Sequence, residues 1–170
     1  MSNGKTPQES ATTMTELVLP NDTNTLNNLR GGMILHWMDV ASAIAAGKHA
    51  QAVVVTASVD NVSFENPIRL GDVVTINAKV TRAFRTSIET HIEVWAESWQ
   101  TRKRYKSNEA YYTFVALDNN HKPIPTIPVI PETEEEQKQY KGAVRRRELR
   151  LVLAGRMRVS EAHSIKELFS

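Results

Sequence analysis

The chain has no cysteine, which excludes disulfides, thiolate zinc sites and a cysteine nucleophile together and agrees with a reducing compartment. It has no long apolar run: nothing approaches the ~20 residues that a membrane-spanning helix needs. It lacks an excess of either charge. Lys and Arg number 21 against 19 Asp and Glu, so a net charge of +2 provides no field for nucleic acid or a membrane. There are no internal repeats. Residues Met1–Ala11 are polar without a hydrophobic segment, so they read as a disordered lead-in rather than a signal peptide, and the default location is cytoplasmic. What remains is ordinary for one soluble domain: 170 residues, 41% hydrophobic and 24% charged.

Hydrophobic period organises the rest. Thr12–Leu19 reads as a strand ended by Pro20, and Asn21–Arg30 is rich in turn and cap formers. Ile34, Trp37, Met38, Ala41, Ile44 and Ala45 then recur at helical spacing from about Gly31 to His49. Four strands are expected over Ala52–Phe64, Val73–Ala83, Ser87–Ser98 and Tyr105–Leu117. In the second, Val74, Ile76, Ala78 and Val80 share a face; in the third, Ile88, Ile92, Val94 and Ala96 do. Strand, long helix and four strands make an α+β layout with an antiparallel sheet covered on one face. The domain spans residues 12–118. A Pro-rich linker (119–131) and a helical extension (132–170), acidic first and basic later, follow it.

One lack is local. Between Gly32 and Gly47 only Asp39 is formally charged, so most sides of this helix are expected to be covered, as for a helix wrapped by a sheet. Gly31-Gly32 opens the same helix, where unpaired N–H groups and the helix dipole favour an anion and the missing Cβ lets one approach. Amides for an oxyanion at the Gly32–Met33 start, and one carboxylate further in, point to a site that activates water.

The run Asp22-Thr23-Asn24, then Gly31-Gly32, then Met38-Asp39-Val40-Ala41 resembles the hotdog-fold acyl-CoA thioesterases, in their acyl-CoA hydrolase branch. The resemblance continues through Val54–Asp60, Ile68–Val73, Ile92–Trp95, Phe114–Asp118 and Val129–Glu136. It implies a hotdog fold, a long central helix wrapped by a curved antiparallel sheet. It implies a homo-oligomer, a trimer of hotdog dimers (a homohexamer) that binds CoA thioesters across the dimer interface. The implied activity is hydrolysis of fatty acyl-CoA in lipid metabolism, with no serine nucleophile, no metal and no cofactor beyond the CoA of the substrate. No nucleic-acid partner is implied. Asp39 takes the place of the family's active-site aspartate and Asn24 of its motif asparagine, with Gly31 and Gly32 as the glycines before the helix.

The chain departs from the family at Asn27, where glycine is frequent, and at Arg30, where an aromatic or histidine is frequent. Asparagine accepts left-handed backbone; Arg30 bears on acyl or CoA preference. Asp39 is the candidate general base, or the candidate nucleophile through an anhydride, and the residues leave both routes open. Thr56 and Ser58 are candidates to line the thioester slot. For the CoA phosphates the candidates are Arg82, Arg85, Arg104 and Lys106 with the hydroxyls of Thr86 and Ser87. His36 reads as a buried, satisfied histidine, and the histidines show no metal-ligand spacing. The alternatives are a non-catalytic acyl-CoA-binding sensor and a hotdog dehydratase or hydratase, which usually depends on a histidine.

Overall fold

A computed structural model describes residues 4–168; residues 1–3 of the expected lead-in and 169–170 of the expected tail lie outside the described residues. The elements are α1 (Pro7–Ser10), β1 (Thr12–Leu17), α2 (Gly31–Ala50), β2 (Val53–Phe64), β3 (Val73–Ala83), β4 (Ser87–Glu97), β5 (Arg104–Leu117), α3 (Glu134–Leu153) and α4 (His163–Lys166). The five strands form one antiparallel sheet in the order β1-β3-β4-β5-β2, which leaves β1 and β2 as its edges.

The inner face of the sheet is the one the alternation marks. Val74, Ile76, Ala78, Val80, Ile88, Ile92, Val94 and Ala96 are all buried, joined by Ala110, Tyr112 and Phe114 of β5. Helix α2 lies on this face through Ile34, Trp37, Met38, Ala41, Ala45 and Ala46. Each large side chain buried there contributes roughly 1.5–3 kcal/mol, and the alanines let helix and sheet backbones come close. The helix ends at Gln51, left-handed at φ +52°, whose N–H donates to the Gly47 carbonyl. This is the hotdog arrangement expected from the sequence. Ile44 departs from it, being exposed on the far side of α2.

The lead-in expected to be disordered and the Pro-rich stretch expected as a linker are both fastened down. From Gly4 the lead-in is ordered: Glu9 accepts from the Thr6 N–H at 2.6 Å to start α1, and Lys5 Nζ donates to the carbonyls of Lys48 and His49 at the end of α2. The Pro-rich stretch is a strap rather than a free linker. The Ile124 and Thr126 amides donate to the Ala116 and Arg85 carbonyls, and Lys5 bonds the strap in both directions, its N–H donating to the Pro128 carbonyl and its carbonyl accepting from the Ile130 N–H. The Ile127 carbonyl contacts His49 Nε2 at 2.7 Å. Burial lowers the His49 pKa, so the ring stays neutral beneath the strap.

Helix α3 covers the outer face of the sheet, where the alternating residues are polar. Its N-terminus is a capping box in which Thr133 Oγ1 accepts from the Glu136 N–H, and Glu136 accepts from the N–H groups of Glu132 and Thr133. Glu136 also pairs with Lys79 at 2.9 Å. Further on, Arg146 forks onto Glu89 with Nη2 at 2.8 Å and Nε at 3.1 Å, while Thr81 Oγ1 donates to the same carboxylate. Glu89 is 1% exposed, and Arg146 lies 4.0 Å above the Tyr111 ring.

Arg146→Met is expected to destabilise the fold by about 3–5 kcal/mol at neutral pH, because it leaves Glu89 buried and unpaired; chemical denaturation measures this. Glu136 provides a pH-dependent counterpart. Burial alone raises its pKa, but the backbone N–H donors and Lys79 prevail and hold it below the usual 4.5. Its contribution is therefore present above that value and lost as pH falls through the folded-state pKa. The gap in thermal midpoint between wild type and Glu136→Gln is expected to close below pH 4.5.

Candidate active site

The loop before α2 is built by asparagines. Asn24 Oδ1 accepts from the N–H groups of Leu26 (2.9 Å) and Asn28 (3.2 Å), and the Asn24 N–H donates to the Asn28 carbonyl. Asn27 sits at φ +57°, the left-handed backbone that glycine would supply. The Leu29 N–H donates to Ile68 and the Leu70 N–H to Asn27, which ties the loop to the β2–β3 connection. Arg30 turns back along the same loop, and its guanidinium donates to the carbonyls of Asn21 (2.9 Å) and Asp22 (3.4 Å). The departure at Arg30 thus stiffens the approach to the helix.

At the helix start the Arg30 carbonyl accepts from both Met33 and Ile34. The donors left over are therefore Gly31 and Gly32, whose N–H groups make no hydrogen bond among the described residues; Met33, expected to share the oxyanion role, is already engaged. A Cβ on Gly32 would meet nothing within 4 Å, whereas one on Gly31 would lie 3.3 Å from the Phe64 ring. The backbone at Gly32 is therefore open to close approach, and Gly31 lies beside the Phe64 ring.

Asp39 lies two helical turns in, about 10 Å along the axis from Gly32 at 1.5 Å per residue. It is half-buried, and its Oδ1 accepts from Thr56 Oγ1 at 2.7 Å. His36, one turn earlier, is exposed rather than buried, because it points away from the sheet. Tyr112, which sequence reasoning missed, donates from its hydroxyl to the Leu35 carbonyl at 3.0 Å. The only sign of it in the sequence is a hydroxyl at an inner-face position of a strand.

Thr56 and Ser58 are two apart, yet they do not share a face. Thr56 pairs with Phe114 and Ser58 with Thr113, so Ala57 is the extra residue of a β-bulge. Thr56, although exposed, stays on the face that carries α2 and meets Asp39, while Ser58 is turned to the opposite face and donates to Asp60 Oδ2, which pairs with Arg150 of α3 at 3.2 Å. A second bulge between Asp60 and Ser63, with Asn61 at φ +56°, restores Phe64 to the inner side beside Gly31. β2 is also an open edge, with Val53, Val55 and Val59 exposed.

The basic candidates do not form one cluster. Arg85, Thr86 and Ser87 sit at the β3–β4 turn, where Thr86 and Ser87 offer carbonyls to Ala116 and Phe84. Arg104 lies at the far end of β4, opposite Glu97 and over the Trp95 ring, roughly 33 Å away at about 3.3 Å per residue. Arg82 is occupied on α3, 4.1 Å above Tyr140. Lys106 donates to Glu93 at 2.7 Å and to Glu109, so its charge is already matched. Burial lowers the Lys106 pKa, but the two carboxylates outweigh that and raise it. His91, Glu93 and Glu109 gather ligand-type atoms within 4.8 Å, a grouping the sequence spacing does not suggest; the ammonium of Lys106 is their cation.

Comparison with known proteins gives a consistent picture. The thioesterase superfamily model matches residues 26–101. An acyl-CoA thioester hydrolase of Bacillus subtilis, itself uncharacterized, is 40% identical over 139 residues, covering 82% of this chain and 81% of that protein. Mouse acyl-coenzyme A thioesterase 11 is 39% identical over 152 residues, or 89% of this chain, which spans only 25% of that longer protein. Among solved structures, a hexameric acyl-CoA thioesterase without ligand superposes with a TM-score of 0.86 at 39% identity, covering 89% of this chain and 97% of that one. The Staphylococcus aureus acyl-CoA hydrolase, bound to butyryl-CoA, CoA and CoA disulfide, superposes with 0.81 at 33% identity, covering 97% and 98%. That hydrolase was also solved with an asparagine, an aspartate and a threonine each replaced by alanine. The three are spaced fifteen and seventeen residues apart, the intervals that separate Asn24, Asp39 and Thr56 here.

Proposed function

The chain belongs to the thioesterase superfamily, in its acyl-CoA hydrolase branch, and from that premise we propose that it hydrolyses fatty acyl-CoA to a fatty acid and CoA with Asp39 as the reacting carboxylate. The observation that carries this reading is the Asp39–Thr56 hydrogen bond beside the open β2 edge. Thr56 occupies one carboxylate oxygen and leaves the other to act on water as a base or on the thioester carbon as a nucleophile. The thiolate is a good leaving group, so the reaction needs no metal or cofactor beyond the CoA of the substrate. The free amides of Gly31 and Gly32 suit the thioester oxyanion. The butyryl-CoA bound by the S. aureus relative supports the substrate class. No described helix is long and apolar enough to cross a membrane. The cytosolic acyl coenzyme A thioester hydrolase of rat, 35% identical over 133 residues, supports a cytoplasmic location.

Geometry also bears on assembly. The amides and Asp39 lie about 10 Å apart on one helix, too far to act on a single carbonyl at hydrogen-bond distance. Pairing of two β2 edges about a two-fold axis would set the helix start of one protomer against the Asp39 of its partner. The bulge at Ala57 suits such a site. The Arg85–Ser87 turn remains the candidate for the CoA phosphates, whereas the Ser58 hydroxyl is engaged by Asp60 on the outer face. Lys106, Arg82 and Arg104 drop out of the CoA assignment on their contacts and position. The hexameric relative supports a trimer of such dimers.

A thiol-release assay across acyl chain lengths tests the chemistry. Asp39→Asn is expected to lower kcat by roughly 10²–10⁴-fold with the fold intact. A wild type inert on every chain length would favour the binding protein instead. Subunit mixing tests the shared site. We assign the Asn24 side-chain NH2 to the thioester carbonyl or the attacking water; Asn24→Asp keeps the acceptor that builds the loop and removes that donor, so it should fold and lose activity. Refolded together in equal amounts, Asn24→Asp and Asp39→Asn should recover about a quarter of wild-type sites, since half the dimers are mixed and one of their two sites is intact.

A further inference from the structure

Tyr112 lies on the inner face of β5, 1% exposed, in a row with Thr90 of β4 and Val59 of β2. Thr90 Oγ1 donates to the Tyr112 carbonyl at 3.3 Å, and the Phe114 ring stacks beside it at 6.3 Å. Strand and ring are thus both held. The hydroxyl donates to the Leu35 carbonyl at 3.0 Å. In an α-helix the carbonyl of residue 35 accepts from the N–H of residue 39. One oxygen therefore receives two donors: the amide of Asp39 from within the helix and the phenol from the sheet. Both of its lone pairs are taken up.

We propose that Tyr112 is a positioning residue for the hydrolysis. Its O–H pins the turn from Leu35 to Asp39 to the sheet, so that the Asp39 carboxylate is held from two sides, at its backbone by β5 and at its Oδ1 by Thr56 of β2. The inference rests on the reading of Asp39 as the reacting carboxylate. Ordinary packing needs the ring of Tyr112 but not its oxygen. Burial, and after it the charge of Asp39, raises the Tyr112 pKa, so the phenol remains a donor across the working range.

The test is a double-mutant cycle followed by thiol release. Tyr112→Phe removes one oxygen, and it is expected to lower kcat about ten-fold while KM stays within about two-fold, as a small misplacement of a reacting group does. In the Asp39→Asn background the same change is expected to have no further effect on the residual rate. An unchanged kcat for Tyr112→Phe, or an equal loss in both backgrounds, overturns the proposal. Full activity of Asp39→Asn identifies failure of the underlying reading and takes the proposal with it. Replacing Tyr112 with 4-aminophenylalanine supplies an N–H in place of the O–H and holds independently of how well the phenylalanine variant folds. Recovery of kcat to near wild type supports the role, and no recovery counts against it.

Discussion

Helix α2 rests on the sheet through Ala41, Ala45 and Ala46, and small side chains at that contact set how near the two backbones come. At that separation a threonine on β2 reaches a carboxylate on the helix, and a tyrosine on β5 reaches a helix carbonyl. A larger residue in the alanine row would part the layers and break both bonds before it touched any reacting group. The charge-poor character of α2 has the same origin. One side is closed by the inner face of the sheet, and the only charge near its middle is the one that the edge strand holds.

The outer face obeys a different rule. There α3 is attached by ion pairs and cation–aromatic contacts, Lys79–Glu136, Arg146–Glu89 and Arg82 over Tyr140, rather than by an apolar seam. Directional contacts of this kind fix where a helix lies without demanding that it be hydrophobic. The helix is accordingly basic in its second half and still docked.

Local periodicity made much of this legible. The inner faces of β3 and β4 follow from alternation alone, and the bounds of α2 from the glycine pair and the apolar spacing. Asp39 stood out because a single charge on such a helix needs a partner. What the sequence did not reveal depends on pairing between distant segments. The bulge at Ala57 exists only in the register of β2 against β5, so Ser58 read as a neighbour of Thr56 and is not one. The basic residues looked contiguous because they cluster along the chain, whereas an extended strand separates them. The lead-in read as disordered and the Pro-rich stretch as a mere linker because partners such as each other and the end of α2 are far apart in sequence.

The register of β2 has a consequence for how the protein is made. This strand follows α2 in the chain, but its partner β5 is the last strand to be synthesised. Until residues near Leu117 have left the ribosome, the Val-rich β2 has both edges unpaired and the Thr56 hydroxyl has no fixed place beside Asp39. An exposed apolar strand of this kind is an invitation to mispair with another nascent chain. The same edge that remains open for a second protomer in the finished fold is thus the segment most in need of protection during translation.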